Sequence, residues 1–232
     1  MANSRFGYVR DFETHDTLLP QTYIVVRIDG KKFHEFSRHY EFAKPNDERA
    51  LRLMNASAKN VVMQYRSDLI LAFGESDEYS FILRRDSALF NRRSDKIATL
   101  FVSLFTANYV SLWPKFFPDR ALDGKHLPYF DSRCVMYPNL PAVKDYLSWR
   151  FVDTHIINLY NTVFWLLIQK CGMTPQESEK YLSGTVSSEK QEILFKECGI
   201  NYNNEPEMFK KGSLVNNKGV IMHCLLYTSD AA

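Results

Sequence analysis

Apolar positions along this chain switch between a continuous, β-branched pattern and a helical one, and each switch marks an element. Thr22 to Asp29 (TYIVVRID) is almost uninterruptedly apolar. That predicts a strand covered on both faces which carries Asp29, followed by Gly30, to its rim. Asn46 then precedes Asp47 and Glu48 and a stripe of Leu51, Met54, Ala58, Val61 and Val62. This predicts a helix running to about Tyr65. Leu69–Phe73 and Tyr79–Leu83 are short apolar runs around the polar segment Gly74-Glu75-Ser76-Asp77-Glu78, the pattern of a β-hairpin with an acidic tip. A long helix is expected from Asn91 to Leu112, ended by Pro114 and the Pro118 loop. Arg133–Tyr137 reads as a fourth strand.

From Ala142 to Cys171 the period is helical again and Gly172 stops it. Thr174-Pro175-Gln176-Glu177 and Ser188-Glu189-Lys190-Gln191 each open a further helix with capping-box logic. The C-terminal third is therefore expected to be mainly helical. Strand, helix, hairpin, helix, strand is the layout of a ferredoxin-like palm sheet, so the fold class is α/β (α+β). Residues 1–137 are expected to form the catalytic palm, 138–221 a helical part packed on it, and 222–232 a non-family, disordered tail.

Composition narrows the function classes. At 232 residues and 45% hydrophobic content the chain can bury a large core, which excludes disorder as its main state. A formal net charge of only +2 excludes a uniformly basic coat, so any phosphate-binding surface has to be local. Four widely spaced cysteines give no zinc-ribbon pattern and read as reduced thiols of an intracellular protein. The mixed charges of Met1–Asp16 do not form a targeting signal, and no apolar stretch is expected to reach transmembrane length. A cytoplasmic, and secondarily nuclear, location follows as an expectation.

Candidate chemistry sits at the two acidic rims. An aspartate at the end of a buried strand and another at a neighbouring hairpin tip are costly to hold without a cation. Together, Asp29 and Asp77 can bridge two Mg²⁺ ions roughly 3.5–4 Å apart, one for an attacking hydroxyl and one for a leaving pyrophosphate. The main-chain carbonyl of Gly30 is a further oxygen donor, and Glu78 stands beside the site as a second-choice ligand. A triphosphate would need Lys31, Lys32, His34 and Lys44, with the amides from Gly30 to His34 as a cradle. Arg92, Arg93 and Lys96 oppose the dipole at a helix start and so suggest an anionic partner. Lys190, Lys210, Lys211, Lys218 and the stretch Asn201 to Asn204 are weaker candidates for RNA contact. Motifs for P-loop NTPases, dinucleotide binding, serine hydrolases and zinc proteases are absent.

The segments FGYVRDFETHD, YIVVRIDGKKFHEFS, FAKPNDERAL, LAFGESDEYSFIL, HLPYFDSR and NLYNTVFW resemble the tRNA(His) guanylyltransferase family, fungal members above all. The similarity spans about Ala2 to Lys218. It implies a polymerase-like palm that extends a chain in the 3′ to 5′ direction, with Mg²⁺ held by Asp29, the Gly30 carbonyl and Asp77. It implies nucleotide contacts from Asp29, Gly30, Lys31, Lys32, Phe33, His34 and Ser76, and triphosphate contacts from Lys44, Asp47, Arg92 and Lys96. ATP would adenylate the 5′-phosphate of tRNA(His), the 3′-hydroxyl of GTP would displace AMP, and the new terminal pyrophosphate would be removed. A homotetramer, with His155 and its neighbours concerned with the tRNA, is implied too. Ile157 stands where the family pattern has Asn. A palm-type nucleotide cyclase and a catalytically inactive RNA-binding module remain as alternatives.

Overall fold

The computed structural model describes residues 5–14 and 16–223. A six-stranded antiparallel sheet in the order β4-β1-β3-β2-β5-β6 is its centre. The strands are β1 (Tyr23–Gly30), β2 (Leu69–Glu75), β3 (Glu78–Leu83), β4 (Phe130–Tyr137), β5 (Ser213–Asn216) and β6 (Ile221–Met222). The helices are α1 (Phe33–His39), α2 (Glu48–Gln64), α3 (Ser94–Phe116), α4 (Leu140–Cys171), α5 (Pro175–Leu182), α6 (Ser187–Cys198) and α7 (Glu207–Lys211). The order β4-β1-β3-β2 with α2 and α3 as crossovers is the expected ferredoxin-like palm.

Period-two alternation along β1 assigns the two layers. Ile24, Val26 and Ile28 pack with Leu53, Ala58, Val61, Phe101, Phe105 and Tyr109 of α2 and α3. Val25 packs with Ile82 and with Val143 and Tyr146 of α4 on the opposite face. Arg27 and Asp29 share that second face by period, with Glu78 opposite Asp29 in the β1–β3 register. A separate cluster of Leu159, Val163, Leu167, Leu182, Leu194 and Tyr202 joins α4 to α5 and α6.

Four expectations require correction. The long helix α3 begins at Ser94 and continues through Pro114 to Phe116, because the fully buried Trp113 and Phe117 anchor the last turn and outweigh the one lost backbone bond. The hairpin turn is only Ser76-Asp77, with Glu75 paired to Glu78. Gly74 lies inside β2, where a Cβ would come within 2.2 Å of the Tyr79 ring. The C-terminal part is mainly helical as expected, with β5 added beside β2, but Met222, expected in a disordered tail, pairs with Leu214 in β6. Residues 224–232 of that tail lie outside the described residues. Finally, α3 and α4 are long and apolar enough to cross a membrane, yet both place their buried stripes against the sheet and its neighbouring helices.

Candidate active site

The two acidic segments meet. The backbone N–H of Gly30 donates to the carbonyl of Asp77 at 3.0 Å, which ties the rim of β1 to the hairpin tip. Ser76 turns the chain at φ +48° and its hydroxyl donates to Asp77 Oδ1 at 3.0 Å. Gly30 is glycine for lack of space: a Cβ there would lie 2.4 Å from the Phe33 ring and 2.8 Å from Asp77 Oδ2. Burial pushes the Asp77 carboxyl above its ordinary range, and the charge of Asp29 pushes it further.

Behind the tip lies a second charge layer supplied by α4. Arg150, buried among acids, donates to Glu75 Oε1, places Nε 2.9 Å from Glu78 Oε1 and donates to Asp153 at 2.9 Å. Burial still raises Glu75, and it raises Glu78 to about 7 against the pull of Arg150 and Arg27. Three acids at the ends of β2 and β3 thus hold protons more tightly than free carboxyls, although one arginine sits among them.

A cavity of about 490 Å³ opens beside Asp77. Phe33, His34, Lys44, Asp47, Ser76 and Asp77 line it on the palm side. Thr154, Ile157, Asn158, Asn161 and Trp165 line it from α4. Lys44 stands 5.6 Å over the Trp165 ring, and burial together with Arg38 lowers its pKa. Burial of the Asp47 carboxylate is more than offset by hydrogen bonds from Arg49 and the Ala43 amide, and it caps α2 through Arg49 N–H. That makes Asp47 an organiser of the cavity wall. The buried Tyr109 hydroxyl, also at this wall, has no hydrogen-bond partner among the described residues.

These features fit a divalent cation. Two carboxylates and a backbone carbonyl are hard oxygen donors, burial and Asp29 raise the Asp77 carboxyl, and the missing Cβ at Gly30 lets the Asp77 carboxylate come close to the rim of β1. Among the other candidates, Lys31 accepts its place through its N–H bond to the Tyr129 carbonyl at 2.9 Å. Lys32 caps α1 in the left-handed conformation and lies 3.8 Å from Glu35.

Other candidates lie apart from the cavity. Arg92 is buried, and its guanidinium donates to the carbonyls of Leu18, Leu19, Thr22 and Ser87, so its charge organises the loop before β1. Lys96 is exposed on the first turn of α3, 5.5 Å over the Phe90 ring. Lys190 Nζ donates to Thr185, Lys210 Nζ to the Asn203 carbonyl and toward Glu207, and Asn201 caps a short 3₁₀ turn. His155 packs at 5.6 Å against Tyr202, and burial and Lys210 lower its pKa.

The residues that sequence reasoning missed are Glu75, Arg150 and the α4 wall. Arg150, Thr154, Asn158, Asn161 and Trp165 recur every three or four positions, with Ile157 beside Asn158 on the same face. That stripe was a readable signal of one helix face turned toward a common target.

With this geometry in view, comparison with known proteins is informative. A family model described as tRNAHis guanylyltransferase matches residues 6–138, and one described as the Thg1 C terminal domain matches residues 141–224. The tRNA(His) guanylyltransferase of Kluyveromyces lactis is 79% identical over 96% of this chain and 94% of its own length. That of Saccharomyces cerevisiae is 77% identical over the same shares. The crystal structure of the Saccharomyces cerevisiae protein superposes with a TM-score of 0.93, at 72% identity, over 98% of this chain and all of that one. A bacterial guanylyltransferase-like protein in complex with ATP shares the fold with a TM-score of 0.75 at 24% identity.

Proposed function

The chain belongs to the tRNA(His) guanylyltransferase family, and we propose that it adds a guanylyl residue to the 5′ end of tRNA(His), using ATP and GTP at one palm site. The observation that carries this reading is the junction of β1 and the hairpin tip, where Gly30 N–H meets the Asp77 carbonyl and the Asp77 carboxylate faces the missing Cβ. Asp29, the Gly30 carbonyl and Asp77 would hold Mg²⁺. When bound, it lowers the pKa of an attacking hydroxyl and neutralises charge on the leaving pyrophosphate. The protein's own groups do the rest. Lys44 sets a positive charge at the cavity wall for phosphate oxygens, in a place where burial and the neighbouring Arg38 lower its pKa. The amides that follow Gly30 add donors at the start of α1. Trp165 and Phe164 offer ring faces for a base.

In this scheme the tRNA 5′-phosphate takes the adenylyl group from ATP with release of pyrophosphate, and the 3′-hydroxyl of GTP displaces AMP. Removal of the new terminal pyrophosphate completes the cycle. A homotetramer, with tRNA lying across subunits, belongs to the same proposal. The test is incubation with 5′-phosphorylated tRNA(His), ATP, labelled GTP and Mg²⁺. Label on the tRNA is expected. Its absence, or a cyclic nucleotide formed from GTP alone, would overturn the reading in favour of a binding module or a cyclase.

A further inference from the structure

On the far side of α1 a second donor cluster stands outside the cavity described above. His39 Nε2 lies 2.8 Å from Asp123 Oδ2, and His126 Nδ1 lies 3.0 Å from both Asp123 oxygens. The three ligating atoms fall within 4.8 Å of one another. The two imidazoles stack at 3.8 Å between centroids, so each presents a nitrogen to the same carboxylate.

The cluster is held from beneath. Asp123 Oδ1 accepts the backbone N–H groups of Lys125 and His126, both at 2.8 Å. The hydroxyl of the buried Tyr40 accepts from Asp123 N–H at 3.0 Å and donates to the His126 carbonyl at 3.0 Å. Arg120, one turn earlier, donates to the Tyr40 and Glu41 carbonyls. The carboxylate and the His126 backbone are thus fixed, and both rings are half-exposed on the open side of the cluster. We propose that His39, Asp123 and His126 form a binding site for a Zn²⁺-class transition-metal ion, distinct from the magnesium site. Two imidazoles and one carboxylate, with water in the fourth place, match a tetrahedral borderline-soft cation and not Mg²⁺, which favours an all-oxygen shell.

Placement gives the ion a structural role. His39 is the last residue of α1, the helix that starts three residues after Gly30, and the loop bearing Asp123 and His126 leads to Tyr129, whose carbonyl receives Lys31 N–H. An ion here clamps both ends of the segment that frames the phosphate-facing turn.

The full-length chain, stripped of metal, would be titrated with Zn²⁺ in millimolar Mg²⁺ so that the carboxylate site is already filled. One Zn²⁺ per chain is expected, with a rise in the unfolding temperature. The variant pair H39A and H126A should each weaken binding by about an order of magnitude or more, while D29N and D77N leave it unchanged. Zinc X-ray absorption on the unaltered protein should read two imidazole nitrogens, a measurement that does not depend on any variant folding. No binding, binding that survives both histidine changes, loss in D29N or D77N, or an oxygen-only shell would each overturn the proposal and leave an ordinary histidine–carboxylate cluster.

Discussion

At Asp77 function and stability pull against each other. Burial and the neighbouring Asp29 charge raise its pKa, so its negative charge is held at a cost that a bound cation would relieve. Asp77→Asn should therefore abolish guanylyl transfer while leaving the unfolding temperature unchanged or higher. A large fall in that temperature would show that the carboxylate is structural instead. Glu78 makes the same point through pH. Its carboxyl binds a proton more tightly folded, at about 7, than unfolded, at 4.5. Its contribution is complete below the lower value and lost as pH rises through the upper one. Metal-free protein should thus lose stability between about pH 5 and 8, and Glu78→Gln should flatten the loss. Equal slopes in the two proteins would refute the assignment. Asp29 was legible because it ends an apolar run with a carboxylate, and Asp77 because it sits in a short acidic segment between two apolar runs. For Arg150 only its place on a polar helix stripe was legible, because its partners Glu75 and Glu78 lie more than seventy positions away and nothing local marks the pairing.

Elements were legible in proportion to their length. The strands and helices of the palm and the 32-residue α4 carry enough periodic positions to declare themselves. Helix α1, with seven residues, and β5, with four, do not. Their existence depends on partners: β5 forms because β2 offers an open edge and its Val215 enters the palm core. The tie is polar as well. Asn55 of α2 donates to Ser213 Oγ at 2.9 Å and accepts from the buried Tyr79 hydroxyl at 3.0 Å. Asn55→Ala would strand the buried Tyr79 hydroxyl and leave Ser213 Oγ with only His223 Nδ1, at 3.1 Å, and should cost about 1–3 kcal/mol. The urea midpoint measures this, and an unmoved midpoint would show that the C-terminal strands are held by pairing alone. Pro114 misled because a sequence shows the missing N–H and not the burial of Trp113 and Phe117 that compensates it.

For the molecule as a whole, the palm and the helical part are joined at the candidate active site. Helix α4 closes the sheet face through Val143 and Tyr146, walls the cavity through Thr154 to Trp165, and sends Arg150 into the acids behind Asp77. Removing that guanidinium would leave the Glu75 carboxylate without its cation and Glu78 with only Arg27, at 3.7 Å. Arg150→Ala should cost roughly 3–5 kcal/mol and reduce transfer sharply, since uncompensated acids would repel a triphosphate and distort the hairpin tip. A merely local role is separable by a double change. If Glu75 and Arg150 form one unit, Glu75→Gln in the Arg150→Ala background should recover part of the lost stability, because it removes one of the stranded charges. Chemical denaturation of the four proteins gives the coupling directly. Strictly additive effects would mean that the helical part merely covers the palm, whereas a clear interaction term would make the charge layer from α4 part of what sets the catalytic rim.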